Sequence, residues 1–202
     1  TDLVEDYLNG ATFGASAIDW DNDGDIDITT LDTFRRNTLA ETGVAGFELI
    51  SHNSAPEAST PGWADWDLDG DMDMAVGSAT NNFLYQNTTY DANTAPADKR
   101  HVRIRVVDDA PGQPRGLETE FGAVARIDVL NAGAGRPLVQ VVSSAAGYIN
   151  QNEYALHFAL PADPTPSDPS SDVRFDLRVD FPSLPQVGFW RVGARANPVL
   201  SN

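Results

Sequence analysis

Residues 19–27 read DWDNDGDID, and residues 65–73 read DWDLDGDMD. In both stretches aspartate stands at positions one, three, five, seven and nine, tryptophan at position two and glycine at position six. Ten of the 30 acidic residues of the chain lie here. Carboxylates crowded this closely repel one another in a folded protein unless an opposite charge sits among them. A hard dication supplies that charge, and calcium takes roughly six to eight oxygen ligands from such a loop.

The pattern assigns roles by position. Side chains at positions one, three and five turn inward as the backbone curls, and glycine at position six permits the sharp turn. The expected side-chain ligands are therefore Asp19, Asp21 and Asp23 in the first loop and Asp65, Asp67 and Asp69 in the second. Position seven, Asp25 or Asp71, is expected to offer its backbone carbonyl. An EF-hand would place a bidentate Glu at position twelve, but Thr30 and Val76 stand there. Asp27 and Asp73 at position nine close each site instead, and the chain can leave straight into a strand. Magnesium demands a smaller octahedral site and keeps several waters. Transition metals normally recruit His or Cys, and neither loop has one. The expectation is two calcium ions, one per loop. A solvated acidic turn with no ion is the alternative, and it is harder to sustain for two matching loops than for one.

Length and composition bound the rest. The chain has 202 residues, enough for one large or two small domains with a real core. Its formal net charge is −17, of which two dications would offset only four. An acidic surface argues against nucleic acid or an anionic membrane as partner. There is no cysteine, which excludes disulfides and thiol catalysis. Loops of modest calcium affinity fill most readily outside the cytosol, so a secreted, periplasmic or cell-surface location is expected. No signal peptide is visible, as expected of a mature chain beginning at Thr1. No apolar run approaches the roughly 20 residues of a membrane-spanning helix.

The two loops start 46 residues apart, and apolar and polar residues alternate after each, as in a half-buried strand. A repeat of this length built on short strands suggests propeller blades. NNFLYQN (81–87) reads as the next strand of the second unit, and 88–99 as a polar linker. From His101 the strand-like segments are HVRIRVV, ARIDVL, LVQVVSSA, EYALHFAL, VRFDLRVDF and FWRVGAR, with a loop-like stretch at 161–172. No stretch has a strong helical period. The expected fold is all-β: two blade-like calcium repeats over 1–90, and a sandwich-like or blade-like domain over 100–202.

The first part resembles the FG-GAP/VCBS repeats of integrin-like β-propellers, through FGASAIDWDNDGDIDI (13–28), GWADWDLDGDMDMAVG (62–77) and FLYQN (83–87). The resemblance implies calcium in loops between blade strands, holding structure rather than doing chemistry. The second part is similar to the ASPIC/UnbV domain, through FGAVARIDV (121–129), VQVVSSAAGYINQNEYALHFAL (139–160) and LRVDFPS (177–183). It departs from that pattern at Ala159-Leu160-Pro161 and at Phe181, so no ligand site is carried over. Two blades cannot close a propeller, which needs roughly four to eight. Their open edges are expected to be covered by the second part together with a partner.

No catalytic set emerges. His52, His101 and His157 are read as structural or surface residues, and Glu118, Glu120 and Glu153 as solvated surface. There is no nucleophile elbow, zinc-protease motif or phosphate-cradling loop. Arg103, Arg105, Arg174 and Arg178 alternate along strands and are expected to pair with acids on one sheet face. Trp20, Trp63 and Trp66 are expected to serve blade packing, and Asn87-Thr88-Thr89 fits a glycosylation acceptor. The functional expectation is a calcium-binding, non-enzymatic module that engages protein partners. The alternative is a carbohydrate-binding module, or an accessory domain of an extracellular polysaccharide-active enzyme.

Overall fold

A computed structural model describes residues 14–30, 33–51, 61–77, 80–90, 100–108, 118–130, 137–143, 150–160, 173–182 and 187–194. His52 and the 161–172 stretch lie outside the described residues, as does most of the 88–99 segment.

The protein is all-β, with one four-residue helix, α1 (Leu39–Thr42). The first repeat is an antiparallel meander of β1 (Ala15–Ile18), β2 (Asp27–Thr30), β3 (Thr33–Asn37) and β4 (Phe47–Ser51). The second repeats the pattern with β5 (Gly62–Ala64), β6 (Asp73–Gly77) and β7 (Asn82–Tyr85). Each acidic loop is the connection of a hairpin. Ile18 pairs with Asp27 across the first, and Ala64 with Asp73 across the second. Alternation then decides which residues meet. Trp63 and Met74, neighbours across β5 and β6, face Ile18, Trp20 and Phe34 of the first repeat in a small core completed by Met72, Val76 and Tyr85. The two sheets therefore stack face to face.

The second part begins with β8 (His101–Ile104), β9 (Val107–Asp108) and β10 (Glu118–Thr119). Its main sheet has the order β12-β11-β14-β15, built from β11 (Val124–Val129), β12 (Leu138–Val141), β14 (Val173–Asp180) and β15 (Val187–Ala194). A two-stranded sheet of β8 and β13 (Leu156–Ala159) faces it. Val102, Ile104, Ala125, Ile127, Phe158 and Phe175 form the centre of the larger core between them. Burying such side chains contributes about 1.5–3 kcal/mol each, which makes this the main stabilising cluster.

Three sequence expectations need correction. Tyr90 is not linker: it is buried, because its N–H satisfies Asp71 (2.8 Å) and its ring lies 6.4 Å from that of His101. The arginines do not form one ladder, since Arg103 is on β8 and Arg178 on β14, in different sheets. Arg178 pairs with Asp180, and Arg126 with Asp128. Glu153 is not solvated surface: Arg103 binds it, and its side chain is only 12% exposed.

Residues 150–157 cover the inner edges of the two repeats. The Asn152 amide accepts the Trp63 N–H (3.0 Å) and donates to the Ser16 hydroxyl (3.2 Å), so one side chain ties β5 to β1. The Glu153 N–H donates to Trp63 O (2.9 Å), and the Asp65 N–H donates to the Glu153 carboxylate (3.3 Å). These bonds join residues 150–157 to β1 and β5.

Candidate metal centres

Hairpin closure brings positions one, three and nine together in both loops. Carboxylate oxygens of Asp19, Asp21 and Asp27 lie within 4.8 Å of one another, and so do those of Asp65, Asp67 and Asp73. The same three positions converge twice, which follows from the shared sequence pattern.

Backbone donors hold each carboxylate. In the first loop Asp19 accepts the N–H groups of Asp23 (3.2 Å) and Gly24 (3.1 Å), and Asp27 accepts those of Trp20 (3.2 Å) and Asn37 (2.7 Å). In the second, Asp73 accepts Trp66 N–H (3.2 Å) and Asn87 N–H (2.8 Å). Position five serves position seven: Asp23 accepts Asp25 N–H (2.9 Å), and Asp69 accepts Asp71 N–H (3.2 Å). The side chains at position seven reach the next segment, Asp25 to Ala40 N–H and Asp71 to Tyr90 N–H, both 2.8 Å. They are engaged outside the cluster of positions one, three and nine. Asp23 joins Asp21 and Glu41 in a second acidic group of the first loop, whereas Asp69 belongs to no such group among the described residues.

The sequence did not mark Asn37 and Asn87 as members of the loops, yet they occupy equivalent places. Each donates its N–H to position nine and its side-chain amide to the carbonyl at position eight, Ile26 or Met72, at 3.1 Å. Asn87 also donates to Trp20 O (2.7 Å), so in the folded chain its side chain ties the second repeat to the first loop. Glu41 was missed because it lies on α1, outside the nine-residue pattern.

Glycine at position six has two reasons. Gly24 and Gly70 have φ of 90° and 100°, the left-handed region that L side chains avoid. At Gly70 a Cβ would also fall 2.2 Å from the His101 ring. That ring stacks on His157, with centroids 5.4 Å apart. His157 is buried, and its Nε2 meets Asn22 Oδ1 (3.0 Å). Burial, then the neighbouring His101, push the His157 imidazole down to about 3. A neutral ring facing an amide oxygen donates from Nε2.

The electrostatics of both loops are such that a cation could be held there. Burial, then the neighbouring acids, raise Asp19 well above the usual carboxylate range. Burial is also the leading cause that raises Asp27 to about 8, Asp71 to about 7, and Asp23 and Asp65 to about 6. Asp65 is buried and its Oδ1 has no hydrogen-bond partner; Asp71 Oδ1 is in the same position. An unpartnered buried carboxylate oxygen costs free energy unless a charge meets it. The residues present therefore fit a hard cation. No protein-family model matches the chain and no curated protein matches its sequence. No helix among the described residues is long and apolar enough to cross a membrane.

Proposed function

We propose that this chain is a calcium-stabilised module that acts outside the cytoplasm, holds no catalytic centre and presents a β-sheet face to protein partners. Its first part is read as FG-GAP/VCBS-type repeats and its second as an ASPIC/UnbV-like domain. The observation that carries the reading is the buried, unpartnered Asp65 Oδ1 in a group with Asp67 and Asp73. Oxygens sharing one calcium lie at most about twice the metal–oxygen distance apart, roughly 4.6–5.2 Å, whereas magnesium would need roughly 4.2 Å. Both groups lie within 4.8 Å, a bound that admits either ion, so the preference for calcium rests on the all-oxygen loop pattern. Bound there, the ion supplies charge neutralisation. Asp19, Asp21 and Asp27, with Asp65, Asp67 and Asp73, would hold the two ions, and the hairpins around them would be fixed.

An interaction role rests on the way the repeats stack. Phe34 of β3, packed on Trp20 and Trp63, has Leu84 of β7 as its repeat counterpart, because Thr29 pairs with Phe34 and Ala75 with Leu84. Leu84 is 65% exposed, so the face that is covered in the first repeat lies open in the second. Native mass spectrometry of the full chain tests the reading. Two calcium ions per chain, retained with a companion protein from its source, support it. A bare chain with no ion at millimolar calcium overturns it.

One observation favours carbohydrate instead. Trp66, 45% exposed, lines a groove of about 310 Å³ with Gln151 and Glu153, where a sugar ring could stack. A silent glycan array would dismiss that reading.

A further inference from the structure

The two acidic loops are joined by hydrogen bonds in both directions. Asn22, at position four of the first, donates from Nδ2 to Gly70 O at position six of the second (3.1 Å). Asn87, anchored on Asp73 and Met72 O of the second repeat, donates to Trp20 O at position two of the first (2.7 Å). A third route also begins at Asn22. Its Oδ1 holds His157, which stacks on His101, and His101 lies against Gly70. Each loop's backbone thus accepts a hydrogen bond from a side chain of the other repeat.

We propose that the two ion sites are thermodynamically coupled, so that filling either loop raises the affinity of the other, and that Asn22 is the positioning residue that transmits the effect. The inference rests on the reading that each loop takes a cation. A loop without its ion holds repelling carboxylates and must be drawn into its binding geometry. The first ion fixes the carbonyl of Trp20 or Gly70, and the cross-loop bonds then hold part of the second loop in place. The second ion has less chain left to order, which is positive cooperativity. Long-range charge works the other way, since the first ion weakens the negative potential at the second site. Salt screens that opposing effect over about 8 Å at 0.15 M, whereas direct hydrogen bonds persist.

The test is calorimetric titration of calcium alone into the metal-free full chain at about 0.15 M salt. One variant cripples the first loop (Asp21→Asn with Asp23→Asn) and another the second (Asp67→Asn with Asp69→Asn). The overall two-ion association constant of the unaltered chain should exceed the product of the two surviving-loop constants by roughly five-fold or more, a single factor shared by both loops. Asn22→Gly keeps the left-handed backbone without strain. It should still take two ions but with reduced cooperativity, since the Asn87 bond to Trp20 O remains. An overall constant equal to that product overturns the coupling, and this pair decides the matter even if Asn22→Gly does not fold. Unchanged cooperativity in Asn22→Gly overturns the role of Asn22. Two ions bound independently by the unaltered chain sink the coupling alone; no calcium bound at all sinks the metal reading and the coupling with it.

Discussion

Asn22 and Leu68 hold the same place in the two loops, and both are left-handed, with φ of 60° and 61°. Asparagine tolerates that conformation and uses it to reach Gly70 and His157. Leucine does not tolerate it, and a left-handed non-glycine residue costs roughly 1–2 kcal/mol. Leu68 recovers little by burial, because it is 66% exposed. Leu68→Asn should therefore stabilise the protein by about 1 kcal/mol. Urea unfolding should show a higher midpoint with an unchanged slope.

The two glycines at position six should not be equally sensitive. Gly24→Ala meets only the backbone preference, since its Cβ neighbours are 3.6 Å away or more. Gly70→Ala meets the same preference and drives a Cβ into His101, which is hemmed in by Tyr90 and His157. The expected loss is about 1 kcal/mol for Gly24→Ala and about 3 kcal/mol for Gly70→Ala. Paired denaturation curves check the order, and equal losses would contradict the account of His101.

The raised carboxylates fix the direction of the pH dependence. A group whose folded pKa lies above its unfolded value, about 3.9 for Asp, contributes stability while protonated and loses it as pH rises through the folded value. With Asp23 and Asp65 near 6, Asp71 near 7 and Asp27 near 8, the metal-free protein should lose stability between about pH 4 and pH 8. A bound dication favours the ionised carboxylates and should reverse the slope. Melting temperatures across that range, in chelator and in calcium, should run in opposite directions. Calcium uptake at pH 7 should also release protons, read as a dependence of the binding heat on the buffer.

The seam between the two parts should be brittle at Asn152. Asn152→Ala removes the partner of Trp63 N–H and Ser16 and leaves a partly buried donor unsatisfied. Stability should fall by about 1–3 kcal/mol. A loss under about 0.5 kcal/mol in equilibrium unfolding would mean that the seam is held elsewhere.

The loops were legible because their information is local. Nine residues specify the hairpin and the turn glycine and supply the carboxylates at one, three and nine, whereas position five, expected among the ligands, accepts the N–H of position seven. Alternation specifies the strands that leave. The equivalence of Asn37 and Asn87 was hidden by spacing: they stand ten residues after Asp27 and fourteen after Asp73, since the second hairpin is longer. Glu41 was hidden because it reaches the first loop from another element. Glu153, Asn152 and His157 gave no local signal, as their partners Arg103, Ser16 and Asn22 lie 50 to 136 residues away. Tyr90 read as linker because its neighbours are polar, while its own N–H was committed to Asp71.

Thermal unfolding of the full chain at pH 7.5, in excess chelator and then in millimolar calcium, tests the central claim most directly. The account predicts a melting temperature many degrees higher in calcium, a rise that saturates with two ions bound, and loss of that rise when Asp65 and Asp67 are replaced by Asn together with Asp19 and Asp21. Coincident melting curves in chelator and calcium, with no ion taken up, would contradict it.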